Sequence, residues 1–202
     1  MADEFMTEER TALTATVRDF TSEHIAANLA EWERTGDIPR DLHKRAGELG
    51  LLGIGFEESV GGSGGDLADG YAVTEAILSA GGSGGVIAGL FTHGIAIPHI
   101  IDSGNQDLID RWVRPVLAGD KIACLGVTEP DGGSDVANLR TVADESGDSW
   151  VLNGSKTFIT SGARADVAVV AARLRAVPGA AGVGLFAVPT DQPGYQVTNR
   201  LQ

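Results

Sequence analysis

The sequence predicts an α+β protein in two parts: an N-terminal α-helical bundle over residues 1–120 and an antiparallel, β-barrel-like domain over residues 121–202. Three observations carry this reading. Apolar residues recur every three or four positions up to about residue 120, and short β-branched and aromatic runs replace that period beyond Lys121. Charge changes at the same place, with 8 Lys and Arg against 20 Asp and Glu in residues 1–120, but 7 against 8 in residues 121–202. At 202 residues, 43% hydrophobic and 21% charged, the chain can build one large core or two modest ones. Disorder, collagen and coiled coil are poor readings of such a composition.

The helical elements follow in order. Leu13, Val17, Phe20 and His24 share one face of a first helix, behind Thr7 as cap and with Glu8 and Glu9 in the first turn. Pro39 suits the first position of a second helix, whose Leu42, Ala46 and Leu49 form a stripe before Gly50 stops it. A third helix opens at Asp66 and carries Tyr71, Val73, Ala76 and Ile77. Two more are expected, over about 86–102 with a break near His93 or Gly94, and over 106–117 with Leu108, Ile109, Trp112 and Val116 facing inward.

Strands are expected at 122–128, 150–153, 156–160, 167–173, 183–188 and 195–198. Asn153-Gly154 reads as a two-residue hairpin turn between the second and third of these. The final residues, from Tyr195, read as a strand just begun, so the second domain is expected to be truncated.

Several function classes are excluded. A formal net charge of -13 repels nucleic acid and anionic membrane surfaces. The longest apolar stretch, 86–101, is interrupted by Gly89, His93, Gly94, Pro98 and His99, and is shorter than the roughly 20 residues of a membrane span. Cys124 stands alone, which fits a reducing compartment, and the acidic N-terminus is unlike a secretory or transit signal, so a cytoplasmic location is expected. Gly-Gly-Ser-Gly-Gly at 61–65 and again at 81–85 matches the hydrolase nucleophile elbow only formally, because neither copy follows a strand. Gly182–Ala187 matches a dinucleotide fingerprint without a helix after it, and Gly154-Ser-Lys-Thr157 lacks P-loop spacing. His93 and His99 are six residues apart with no Glu or Cys ligand beside them, so no metal site is expected. Glu57-Glu58 and Asp144-Glu145 read as solvated loop charges rather than acid pairs.

Two segments carry chemistry. In Cys124–Asp135 a strand ends at Thr128, and Pro130, Gly132 and Gly133 shape a turn where backbone N–H groups and the hydroxyls of Thr128 and Ser134 can converge on a polar ligand. In Trp150–Gly162, strand alternation would put Phe158 and Thr160 on one face and Ile159 on the other, so that an aromatic plate and a hydroxyl point the same way. A flat, reducible ring needs that combination.

On these residues the sequence resembles the acyl-CoA dehydrogenase family. Val127–Asp135 is similar to its T-E-P-x-x-G-S-D signature, and Phe158-Ile-Thr160 to its W-I-T or F-I-S/T signature, at the family's separation. Glu57–Gly65 and the stretch from Asp102 to Lys121 resemble family loops as well, so the likeness covers essentially the whole chain. Phe158 stands where many members have Trp, and Asp131 where Gly is commoner.

The resemblance implies FAD as cofactor, with Leu125, Val127, Thr128, Gly133, Ser134, Phe158, Ile159 and Thr160 binding it. Leu125 and Val127 would offer backbone contacts, and Thr128 a hydroxyl to the pyrimidine side of the ring. Phe158 would pack on the ring face, Thr160 would hydrogen-bond N5, and Ser134 would contact the acyl-CoA substrate or the flavin phosphate. The implied reaction oxidises an acyl-CoA thioester to the trans-2-enoyl-CoA, by α proton abstraction with β hydride transfer to flavin N5. The catalytic base is implied to lie beyond residue 202, on a C-terminal helical domain absent from this sequence, so that this chain alone is expected to be inactive. An electron-transfer flavoprotein or similar acceptor and a homo-oligomer, dimer or tetramer, are implied partners. An acyl-CoA oxidase or flavin monooxygenase of the same fold, and a non-catalytic binding module, are the alternatives.

Overall fold

The computed structural model describes residues 5–177 and 179–200. In chain order its helices are α1 (Glu8–Thr21), α2 (Leu29–Thr35), α3 (Arg40–Glu48), α4 (Leu67–Ser79), α5 (Gly84–Phe91), α6 (His93–Ala96), α7 (Pro98–Asp102), α8 (Gln106–Leu108) and α9 (Arg114–Leu117). Its strands are β1 (Ala123–Gly126), β2 (Val142–Ser146), β3 (Ser149–Asn153), β4 (Val167–Leu174) and β5 (Val183–Pro189). The described chain separates into two compact units, one holding residues 5–91 with Ile109–Lys121, the other Thr92–Leu108 with the described residues from Ile122 to Arg200.

In the first unit the helix ends obey local chemistry. Thr7 Oγ1 accepts the Arg10 amide at 3.2 Å and so caps α1. Asp66 and Asp69 exchange side-chain and backbone hydrogen bonds in a capping box at the start of α4. Arg10 then donates to both carboxylates, Nε to Asp69 at 2.8 Å and Nη2 to Asp66 at 3.0 Å, which ties α1 to the first turn of α4. Pro39 is the cap residue of α3 rather than its first helical residue, and Gly50, at φ 72°, follows its end in the left-handed region. Val17, Phe20, Leu42, Ala46, Val73 and Ile77 meet in the core. Leu49 and Tyr71, expected on buried stripes, are exposed. The expected break in the apolar stretch lies around Thr92, with a second at Pro98, where the ring opens α7 without needing a backbone N–H.

The second unit departs from the expected antiparallel barrel. Its five-stranded sheet is mixed: β4 pairs in parallel with β1 and with β2, and antiparallel with β5, while β2 and β3 form an antiparallel hairpin. β1 takes the first half of one edge of β4, Ala123 opposite Val167 to Gly126 opposite Val170, and β2 continues that edge at Arg173 and Leu174. Val167, Ala168, Val169, Ala171 and Ala172 are all buried, the continuous apolar run that a central strand covered on both faces requires.

Three further expectations fail. The hairpin turn is Gly147-Asp148, with Gly147 at φ 61°, and not Asn153-Gly154. Gly154 serves packing instead, since a Cβ there would fall 2.3 Å from Thr141 Oγ1. Residues 156–160 and 195–198 form no strand, and β2 was not foreseen. No single helix among the described residues is long and apolar enough to cross a membrane.

One packing test follows within the helical unit. A Cβ on Gly47 of α3 would lie 2.3 Å from the Ala118 backbone, whereas one on Gly70 of α4 would meet nothing within 4 Å. Gly47→Ala is expected to destabilise by about 1–3 kcal/mol through overpacking. Gly70→Ala should instead stabilise by about 0.5–1 kcal/mol. Urea unfolding of the two variants measures both, and equal effects would contradict the packing.

Candidate functional site

β1 delivers Leu125 and then Val127 and Thr128, all half-buried, to a tight turn. Glu129 and Gly132 close that turn: the Glu129 N–H donates to the Gly132 carbonyl at 2.8 Å and the Gly132 N–H to the Glu129 carbonyl at 3.2 Å. Pro130 and Asp131 form its exposed tip, and Asp131 pairs with Arg140 at 2.9 Å, which balances the extra negative charge there. Gly133 lies against Thr128, where an added Cβ would be 3.3 Å from the threonine methyl. Ser134 is exposed.

The second motif is fastened to the first by main chain and by charge. The Thr157 N–H donates to the Thr128 carbonyl at 2.9 Å. Lys156 Nζ donates to the Val127 carbonyl at 2.9 Å and to Glu129 Oε1 at 2.8 Å, with the two side chains only 10% and 5% exposed. The Glu129 carboxylate also accepts the Arg140 amide at 2.6 Å and the Thr141 amide at 2.9 Å. Nothing in the sequence patterns singles out this pair, because Glu129 reads as part of a turn and Lys156 as part of a strand.

Beyond Lys156 the chain makes a strained turn instead of the expected strand. Phe158 sits at φ 56° and Ser161 at φ 60°, the positive-φ non-glycine residues of the described chain, and each such conformation costs on the order of 1–3 kcal/mol. The turn is held from below. Ile159 packs on Ile122, Cys124, Ala165 and Ala168, the Gly162 N–H donates to the Ile159 carbonyl, and the Arg164 and Ala165 amides donate to the Ser161 carbonyl. Tyr195 Oη donates to the Gly162 carbonyl at 3.3 Å, and the Thr92 and Ser161 hydroxyls are 3.5 Å apart. Phe158 is 70% exposed and Thr160 is exposed, with Ile159 between them turned inward. The alternation expected of a strand is thus produced by a tight turn.

Electrostatics separate two buried titratable groups. Burial raises the Glu129 pKa, yet hydrogen bonds from Lys156, from Thr141 and from the Arg140 amide outweigh it and hold the carboxyl down at about 2. Burial alone pushes the Cys124 thiol up to about 12, so it packs as a small apolar group and is no nucleophile. A carboxyl held at about 2 against an ordinary 4.5 contributes about 3 kcal/mol of stability above that ordinary value, lost as pH falls through the folded one. Lys156→Met, which strands the carboxylate, is expected to destabilise by about 3–5 kcal/mol at pH 7. The deficit should shrink as pH is lowered toward 2, as Glu129 takes up its proton in the variant and begins to do so in the wild type; denaturant titrations across that range test it.

Comparison with known proteins identifies both halves of the chain. The sequence profile of the acyl-CoA dehydrogenase N-terminal domain matches residues 7–120, and that of the acyl-CoA dehydrogenase middle domain residues 124–202. The crystal structure of a probable acyl-CoA dehydrogenase from Mycobacterium abscessus superposes with a TM-score of 0.95 at 58% identity, over 98% of this chain and 52% of that one. A glutaryl-CoA dehydrogenase from Mycobacterium smegmatis, solved in complex with FADH2, superposes with a TM-score of 0.82 at 31% identity, over 95% of this chain and 48% of that one. The mitochondrial long-chain specific acyl-CoA dehydrogenase of Sus scrofa is 37% identical over 188 residues, 92% of this chain and 43% of that protein. The chain therefore spans about half the length of these relatives. With both of its halves matched in order, the chain belongs to the acyl-CoA dehydrogenase family.

Proposed function

We propose that this chain is the FAD-holding part of an oxidoreductase that converts an acyl-CoA thioester to the trans-2-enoyl-CoA. The observation that carries the reading is Phe158: a large aromatic side chain, 70% exposed, held outward on left-handed backbone beside the exposed Thr160. Both features are unfavourable for an unliganded surface, and both fit a flat ring laid on that surface. When bound, FAD supplies the acceptor for the β hydride as the α proton leaves to a base.

The residues divide that work. Phe158 packs against the ring face, and the Thr160 hydroxyl, two residues on, donates a hydrogen bond to the ring nitrogen at which hydride arrives. Thr128 presents its hydroxyl to the ring edge where negative charge collects, with Leu125 and Val127 offering backbone groups beside it. Gly133 keeps the turn close to Thr128, and Ile159 anchors the plate from beneath. Ser134, exposed at the far side of the turn, is assigned to acyl-CoA or to the cofactor phosphate. No residue of this chain is assigned as the catalytic base. An electron-transfer flavoprotein as acceptor, assembly into a homo-oligomer and a cytoplasmic location complete the proposal; the family likeness supports the first two.

Two variants test the assignment. Phe158→Ala should weaken FAD binding by about 1–3 kcal/mol, read as a rise in Kd by fluorescence titration, and an unchanged Kd contradicts the stacking role. In an enzyme that carries the catalytic base as well as this chain, Thr160→Ala should slow reduction of the flavin by acyl-CoA in anaerobic stopped-flow far more than it weakens FAD retention. Equal loss in both would reject the N5 assignment.

A further inference from the structure

We propose that Lys156 is a positioning residue that aligns and polarises the Val127–Thr128 peptide toward a bound ring, with Glu129 as its charge balance. The inference rests on the flavin reading above and extends it to a pair that reading does not use.

The Glu129 carboxylate already accepts two backbone amides, those of Arg140 and Thr141. Lys156 adds a third donor, yet its ammonium also reaches the Val127 carbonyl at 2.9 Å, a backbone group lying between the proposed contacts of Val127 and Thr128. The stem of the lysine lies along Gly126, where an added Cβ would be 3.4 Å from Lys156 Cγ. The peptide is trans, so the Thr128 N–H points away from the carbonyl that Lys156 holds. Among the described residues no acceptor in the protein takes that N–H. An ammonium on one end of an amide draws electron density through it and strengthens the N–H at the other end, by roughly 10–30% per bond in condensed-phase estimates. Thr128 then offers two donors, amide and hydroxyl, and the amide is fixed in direction by a buried charge. Glu129 makes the arrangement neutral, so the strut adds no net charge beside the ring.

Reduction potentials of the flavin-loaded protein separate this role from simple bracing, because a reduced flavin anion feels the sign of nearby charge. Glu129→Gln leaves the ammonium uncompensated and should shift the potential upward. The neutral double variant Lys156→Met/Glu129→Gln removes the ammonium without stranding a charge, and should shift the potential below that of the wild type. Lys156→Arg should keep the potential near the wild-type value. Thermal melting of all three, followed in parallel, is expected to show a lower Tm for both Glu129→Gln and the double variant. Potentials that move in the same direction in those two, or do not move, overturn the proposal and leave a purely structural pair. Wild-type protein that retains no FAD rejects the functional reading, and this one with it.

Discussion

The buried ion pair between Lys156 and Glu129 is the contact on which the site depends. Two charges placed where they are 10% and 5% exposed lose much of their hydration, a penalty of several kcal/mol each unless their hydrogen-bonding capacity is filled. Here it is filled: the carboxylate accepts Lys156 and two amides, and the ammonium donates to the carboxylate and a carbonyl. Because the lysine belongs to one motif and the glutamate to the other, satisfying these charges forces the motifs side by side. The Thr157 to Thr128 hydrogen bond then fixes their register. Thr128 and the Phe158–Thr160 turn are thereby placed relative to each other by a buried ion pair and one main-chain hydrogen bond.

That anchoring has to offset a specific cost. Two non-glycine residues in the left-handed region store on the order of 2–6 kcal/mol together, and the Phe158 ring gives up the burial that aromatic side chains usually gain. Ile159 returns part of this by packing on the small core beneath β1 and β4, and the carbonyls of Ile159, Ser161 and Gly162 all find donors. The strain is therefore confined to the backbone of Phe158 and Ser161, while the carbonyls around them are hydrogen-bonded. A loop held in this way would meet a ligand already ordered, which lowers the ordering penalty of association.

Much of this was legible in the sequence, for reasons that differ by element. Helix ends were, since Thr7, Asp66 and Gly50 act through contacts within a few residues of themselves. The motif residues Thr128, Ser134, Phe158 and Thr160 sit in short signatures of fixed spacing, so they can be named as candidates without the fold. Pairing direction was not legible. Whether β4 runs with or against β1 and β2 depends on where the chain returns after the turn, and no local residue encodes that. One clue existed in Val167–Ala172, which is apolar without alternation and so suits a strand covered on both faces, a pattern commoner in parallel sheets. Gly154 misled for the opposite reason: its lack of a side chain answers to Thr141, thirteen residues earlier, and not to the turn that Asn153-Gly154 suggests.

Position 158 shows how a local rule that fails can carry more than one that holds. Glycine would adopt φ 56° without steric strain, so phenylalanine there sacrifices on the order of 1–3 kcal/mol of backbone energy. It gains little in return from the fold, since most of its surface faces solvent. A smaller or polar residue would avoid one penalty, and glycine would avoid both. The energy that justifies the ring must then come from something outside the described chain that covers it. A planar aromatic ligand of the kind proposed would cover that surface, and the exposed Thr160 hydroxyl would supply the directional contact that a ring nitrogen requires.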